Sequence, residues 1–248
     1  MRARRWLAAY GLSISFGQFA LMFMAIAQGM PTGLAALLHQ AQVFFTVLMA
    51  AWWLGEPVRR HQALGMALAA LGLGLIGAGQ YRGALPMGAL ALVLASSLSW
   101  AAGNLVVKRM ARFGPVNALA LVGWGNVPSL LAFALSALAL DGLPGVWRQV
   151  SGLNAAGWIS VLYLAWIAGL LGYASWSALL ARHPADRVTP LALLAPAIAL
   201  LVAWAVLGEQ LNAWQAGGIA LVAAALLLHV FGPPLAQRLA RARARGRA

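Results

Sequence analysis

The stretch PTGLAALLHQAQVFFTVLMAAWWLGEPVRRHQALGMALAALGLGLI, residues 31–76, has a counterpart later in the same chain. A shift of 153 residues lays Pro31 on Pro184, Leu54-Gly55-Glu56 on Leu207-Gly208-Glu209, Gln62 on Gln215 and Gly65 on Gly218. The register runs backwards without a gap, since Tyr10 falls on Tyr163. Matches between Ala and Leu mean little here, but Pro, Gly, Glu, Gln and Tyr are sparse. Each copy has one plan: an apolar run, a Gly-Glu turn, and a second apolar run with Gly near its start. A repeat of long period in an apolar chain points to a duplicated membrane domain.

Composition agrees. Hydrophobic residues make up 63% of the chain and charged ones 8%, with a mean hydropathy of +0.83. A soluble domain of this size carries roughly a quarter of its residues as charges, so the outer surface of this chain must face lipid. No Asp, Glu, Lys or Arg occurs between Trp6 and Gly55, and further charge-free windows cover 83–107, 113–140, 149–181 and 188–208. About 20 apolar residues cross the hydrocarbon core as a helix, which satisfies its own backbone hydrogen bonds. The alternating pattern of a membrane barrel is absent. The predicted class is an all-α polytopic membrane protein with spans at 7–28, 32–54, 61–80, 85–107, 116–140, 155–180, 188–207 and 212–231.

Charge placement predicts orientation. With the start taken as cytoplasmic, fifteen Lys and Arg fall on one side, and only Arg82 and Arg148 on the other. The positive-inside rule then puts both termini in the cytoplasm. The net charge of +13 therefore reads as topology and attraction to anionic membrane lipid, not as nucleic-acid binding. Matching loops of the two copies carry opposite charge bias. Glu56–His61 holds two arginines and its partner at Glu209–Asn212 none, while Gln28–Thr32 holds none and Arg182–Arg187 two. That is the pattern of an inverted repeat, which needs an odd number of helices per copy. Five spans separate Tyr10 from Tyr163, so the unit is five helices. The second copy has all five and the first has three, which predicts a ten-helix architecture of which eight helices are carried here.

The segments YGLSISFGQFA (10–20) and GMPTGLAALLHQAQVFFT (29–46), with the two Leu-Gly-Glu turns and Gly65, resemble the drug/metabolite transporter superfamily, EamA type. Within it the chain is most similar to bacterial exporters of O-acetylserine and cysteine. The likeness runs to about Phe231. It implies ten helices as two inverted five-helix halves, an inner-membrane location, and export of small metabolites. On that reading residues 1–80 are an incomplete first repeat, 81–231 a complete second repeat, and 232–248 a basic cytoplasmic tail.

Polar residues inside spans are costly in hydrocarbon and should face a cavity or another helix. On the second span His39, Gln40, Gln42 and Thr46 cluster, with His39, Gln42 and Thr46 on one helical stripe. Gln18 on the first span is a candidate for the same space. Amides and hydroxyls can hold the ammonium and carboxylate of a small zwitterion, and His39 could relay protons. The alternative for each is interhelical hydrogen bonding. On the fourth span Ser97, Trp100 and Asn104 share a face beside Ser96 and Ser99. Trp100 could shape a substrate pocket and Asn104 could donate to a carboxylate, or both could simply pack. Tyr173 and Asn126 are further candidates.

Gly55, Glu56, Gly208 and Glu209 read as structural turn residues of the repeat. Each Glu precedes a helix start, and the inversion puts the two on opposite membrane faces, so they cannot form an acid/base pair. Small-residue stripes at Ala70, Gly74 and Ala78, and at Ala216, Ala220 and Ala224, suit packing within the bundle or in a homodimer. There is no Cys, no phosphate-binding loop and no nucleophile or acid/base pair within reach. The reading therefore includes no catalytic residue, no metal ligand and no cofactor. The expected function is a secondary transporter of small polar metabolites, and the competing one is a non-transporting membrane protein that serves as an assembly partner.

Overall fold

The computed structural model describes residues 2–80, 86–207, 212–225 and 227–228. Every regular element among them is helical. Eight helices follow one another: α1 (Arg4–Ala27) and α2 (Thr32–Leu54), α3 (Arg60–Gln80), α4 (Met87–Ala111), α5 (Ala118–Ser151), α6 (Ala155–Arg182), α7 (Leu194–Leu207) and α8 (Ala213–Ala225). By length and composition five of them, α1, α2, α4, α5 and α6, can cross a membrane. The chain is an all-α, multi-pass membrane protein. Gly208, Glu209, Arg82 and the basic tail lie outside the described residues.

Local chemistry sets the ends. Asn117 and Asn154 cap α5 and α6, their Oδ1 atoms accepting from Ala120 N–H at 3.0 Å and Gly157 N–H at 2.9 Å. α5 is two helices joined at Gly142, whose φ of 65° interrupts the run before Pro144. α2 ends at Gly55, left-handed at φ 66°, with Glu56 N–H reaching back to the Ala50 carbonyl at 3.3 Å, a Schellman-type stop.

Four interruptions matter more. α1 passes through a π-helical segment at Gly11–Gly17, and α6 through one at Tyr163–Gly172. α2 tightens at His39–Gln40, where Gln40 and Gln42 bond to carbonyls three residues back. Before α7, the turn Ala185–Val188 runs into a 3₁₀ segment, Thr189–Leu193, which contains Pro190. The two π segments, and the two tight turns, fall at matching positions under the 153-residue offset.

By compactness the chain divides into two units. The first holds residues 1–23 and 95–183, and the second residues 24–94 and 184–248. In the first unit α1 lies backbone to backbone on α5. A Cβ at Gly11 would run into the Gly125 carbonyl, and one at Gly125 would stand 2.6 Å from the Tyr10 ring. Tyr10 and Ile14 are fully buried there. α4 is almost as close, with Ser99 Oγ 2.6 Å from where a Gly17 Cβ would stand. In the second unit α3 and α8 cross at Gly72 and Gly218, where a Cβ at Gly218 would lie 2.5 Å from the Gly72 carbonyl oxygen.

The contact of α3 with α8 runs through Gly72, Ile76, Gly218 and Val222, while Ala70, Gly74, Ala78, Ala216, Ala220 and Ala224 are all exposed. Both helices carry small residues on several faces, so spacing alone does not select the buried stripe. Glu56, in turn, bonds far from the helix that follows it. α3 begins only at Arg60, and Glu56 Oε2 accepts from Ala185 N–H at 2.9 Å, at the start of Ala185–Val188. Its charge sits against the orphan amides of a turn 129 residues away.

Gly125→Ala is expected to lower stability by about 1–3 kcal/mol through overpacking, while Gly74→Ala, with nothing within 4 Å of the added carbon, leaves it unchanged or slightly raised. Thermal unfolding in detergent measures both. Glu56→Ala is expected to cost about 1 kcal/mol in the same assay, with Glu56→Gln retaining part of the loss because an amide oxygen still accepts the bond.

Candidate functional site

In the first unit, the π segment of α1 breaks the regular i→i−4 bonding and turns its carbonyls toward neighbours. Three serines meet them. Ser129 Oγ donates to the Gly11 carbonyl at 2.8 Å, Ser99 Oγ to Ser13 at 2.9 Å, and Ser96 Oγ to Gln18 at 2.7 Å. The hydroxyls of Ser96 and Ser99 are thereby committed to helix packing.

The other expected residues of α4 meet α6. The Trp100 ring stacks on Tyr173 with centroids 5.9 Å apart at 25°. Asn104, fully buried, accepts from Trp176 Nε1 at 2.9 Å. Ser97 is fully buried as well. Gln18 hydrogen-bonds through its side chain to Tyr173. It is 3% exposed, and its Oε1 finds no donor among the described residues. Trp100, Asn104, Gln18 and Tyr173 are thus brought together in one polar layer, with Gln18 and Asn104 buried and Trp100 and Tyr173 half-buried. Lys108, one turn beyond Asn104, is also buried and donates to the His183 carbonyl at 3.0 Å, at the end of α6. Sequence reasoning took Lys108 only as a topology signal.

A cavity of about 410 Å³ opens beside this layer, between α1, α5 and α6. Its polar atoms come from Ser15, Asn126, Ser129 and Tyr173, and its apolar wall includes Phe19 and Phe133. Ser15 Oγ donates to Asn126 Oδ1 at 2.6 Å. Nothing lining the cavity carries a formal charge. Such a site offers hydroxyls, an amide and a phenol, and binds polar groups without a fixed counter-ion. Ser15 and Ser129 were not singled out from the sequence. The π turn shifts the phase of α1, so a 3.6-residue period misplaces Ser15, and Ser129 is an isolated hydroxyl in an apolar run.

In the second unit, His39, Gln42 and Thr46 are buried and Gln40 is half-buried. The tight turn at His39–Gln40 falls at the first member of the expected stripe of His39, Gln42 and Thr46, and all three are buried. Gln42 and Thr46 remain four apart on one face, and Thr46 Oγ1 donates to the Gln42 carbonyl at 2.7 Å. Its hydroxyl proton is therefore spent on its own helix.

Residues 2–78 and 87–231 match the model of the EamA-like transporter family. The chain belongs to that family. Its members are transporters, which places the chain among carriers and not among enzymes. It is 42% identical over 228 residues to a protein of Salmonella typhimurium described as a probable amino-acid metabolite efflux pump, covering 91% of this chain and 76% of the relative. A protein of Escherichia coli with the same description is 37% identical over the same shares. A crystal structure superposes with a TM-score of 0.75 at 19% identity, over 89% of this chain and 75% of the other, and shares the fold.

Tyr173→Phe leaves the Gln18 amide buried without its hydroxyl partner and is expected to destabilise by about 1–3 kcal/mol. Combining it with Gln18→Leu is expected to recover part of that loss, because both polar partners are then gone. Chemical unfolding of the two variants in detergent checks the sign of the coupling.

Proposed function

We propose that this chain is a secondary transporter that exports small polar metabolites, amino acids or derivatives such as cysteine and O-acetylserine, across a bacterial inner membrane. The observation that supports it most directly is the uncharged polar cavity of Ser15, Asn126, Ser129 and Tyr173 within the apolar spans. Its size lies within the range of small-molecule sites. A zwitterion carries no net charge, so it needs no fixed counter-ion, and its ammonium and carboxylate are met by hydroxyls and amides. Descriptions of the Salmonella and Escherichia relatives as efflux pumps for amino-acid metabolites support the same substrate class and direction.

In this reading residues 1–80 and 81–231 are the two family repeats, and both termini, with the basic tail 232–248, face the cytoplasm. Alternating access comes from movement of one repeat against the other. The tight turns at His39–Gln40 and Thr189–Leu193 interrupt apolar helices at matching positions of the two copies, where hinges of such carriers belong. His39 stands on one of these turns and is the proposed proton-relay group, while Gln42 and Thr46 line the substrate path.

Asn126→Leu removes the Ser15 partner and the amide while keeping the volume. We expect export of O-acetylserine from cells to fall about tenfold with membrane abundance unchanged. Undiminished export in that variant would remove the cavity from the transport path.

A further inference from the structure

A second cleft, of about 300 Å³, lies in the first unit where α4 ends and α5 begins. Leu7, Met110, Phe113, Val116, Leu121 and Trp124 form its walls. Phe113 and Trp124 are both about two-thirds exposed. A wide-open apolar groove at the ends of two spans sits at the membrane–water boundary, the level where indole rings settle. It lacks the buried polar floor of the cavity described above.

The rim is cationic. The Arg109 guanidinium lies over the Phe113 ring, 5.5 Å from its centroid. Arg4 precedes Leu7 by three residues and so shares its side of α1. Arg5 and Arg112 add exposed positive charge at the same end. Lys108, in the same turn as Arg109, is committed to the His183 carbonyl and does not belong to the rim. Asp141, the one acidic residue among the described residues of this unit, stands at the far end of α5, roughly 35 Å away by helical rise.

We propose that this cleft is a binding site for an anionic phospholipid. One acyl chain lies against Leu7, Val116, Leu121 and Trp124, and the headgroup phosphate is held by Arg109 and Arg4. Charge complementarity selects the occupant. An apolar groove alone would accept any lipid tail, but a rim with Arg109 and Arg4, and with the one carboxylate of the same unit far along α5, favours a net negative headgroup over a zwitterionic one. The site differs from the substrate cavity in position, chemistry and ligand, and it does not depend on what the chain transports.

The test uses the full chain in mixed vesicles containing a trace of phosphatidylglycerol or phosphatidylcholine, each with a photoactivatable diazirine on its acyl chain. Labelled positions are mapped by peptide mass spectrometry. The expected result is label on Leu7 and residues 110–124, at least about fivefold higher with phosphatidylglycerol. Arg4→Gln combined with Arg109→Gln should bring that labelling down to the phosphatidylcholine level. Equal labelling by the two lipids, insensitivity to the double substitution, or label spread evenly over exposed apolar positions such as Leu135 and Leu140 would each overturn the proposal.

Discussion

The first unit depends on α1 lying backbone to backbone against α5 at Gly11 and Gly125, with its π-helical carbonyls bonded by serines from both neighbours. Ser129 and Ser99 add bonds to the carbonyls of Gly11 and Ser13 in the π segment, and Ser96 to that of Gln18 just after it. The close approach is possible only because no side chain stands between Gly11 and Gly125. Once α1 is fixed, Tyr10 is buried and Ser15 is presented to Asn126, which forms the polar side of the cavity. Packing and site are products of the same interruption.

An uncharged cavity has a further physical consequence. A fixed charge within the spans would cost several kcal/mol in the absence of a bound partner. Hydroxyls and amides cost much less, and many of those in this unit bond to protein. Gln18 Oε1 is left over among the described residues. Residual capacity of this kind suits a carrier, which must release its substrate as readily as it binds it.

The apolar spans were legible because hydrocarbon imposes a strong and local rule on composition. The windows from 83 and 149 each became one long helix near the expected bounds and that from Trp6 became two, while the helix expected at 116–140 runs on to Ser151. What escaped was anything set by the relation of distant segments. Glu56 reads locally as the start of α3, yet its partner is Ala185. The serines of α4 read as a polar stripe, but Ser96 and Ser99 answer carbonyls in α1 that a regular helix would not offer. No proline or glycine marks the turn at Gln40. Pro190 does mark its counterpart at Thr189–Leu193, so the repeat carries the clue that the first copy lacks. Trp100 with Tyr173, and Gln18 beside them, were named from the sequence one by one. Their meeting in one layer is a tertiary fact.

Substrate exchange by the purified 248-residue chain in proteoliposomes tests whether it moves a small polar metabolite. Vesicles are loaded with radiolabelled O-acetylserine, and release of label is followed with and without unlabelled substrate outside. A transporter of this substrate gives release that is faster than from protein-free vesicles, accelerated by external substrate and saturable. Release at the protein-free rate under both conditions would mean that the chain does not carry it.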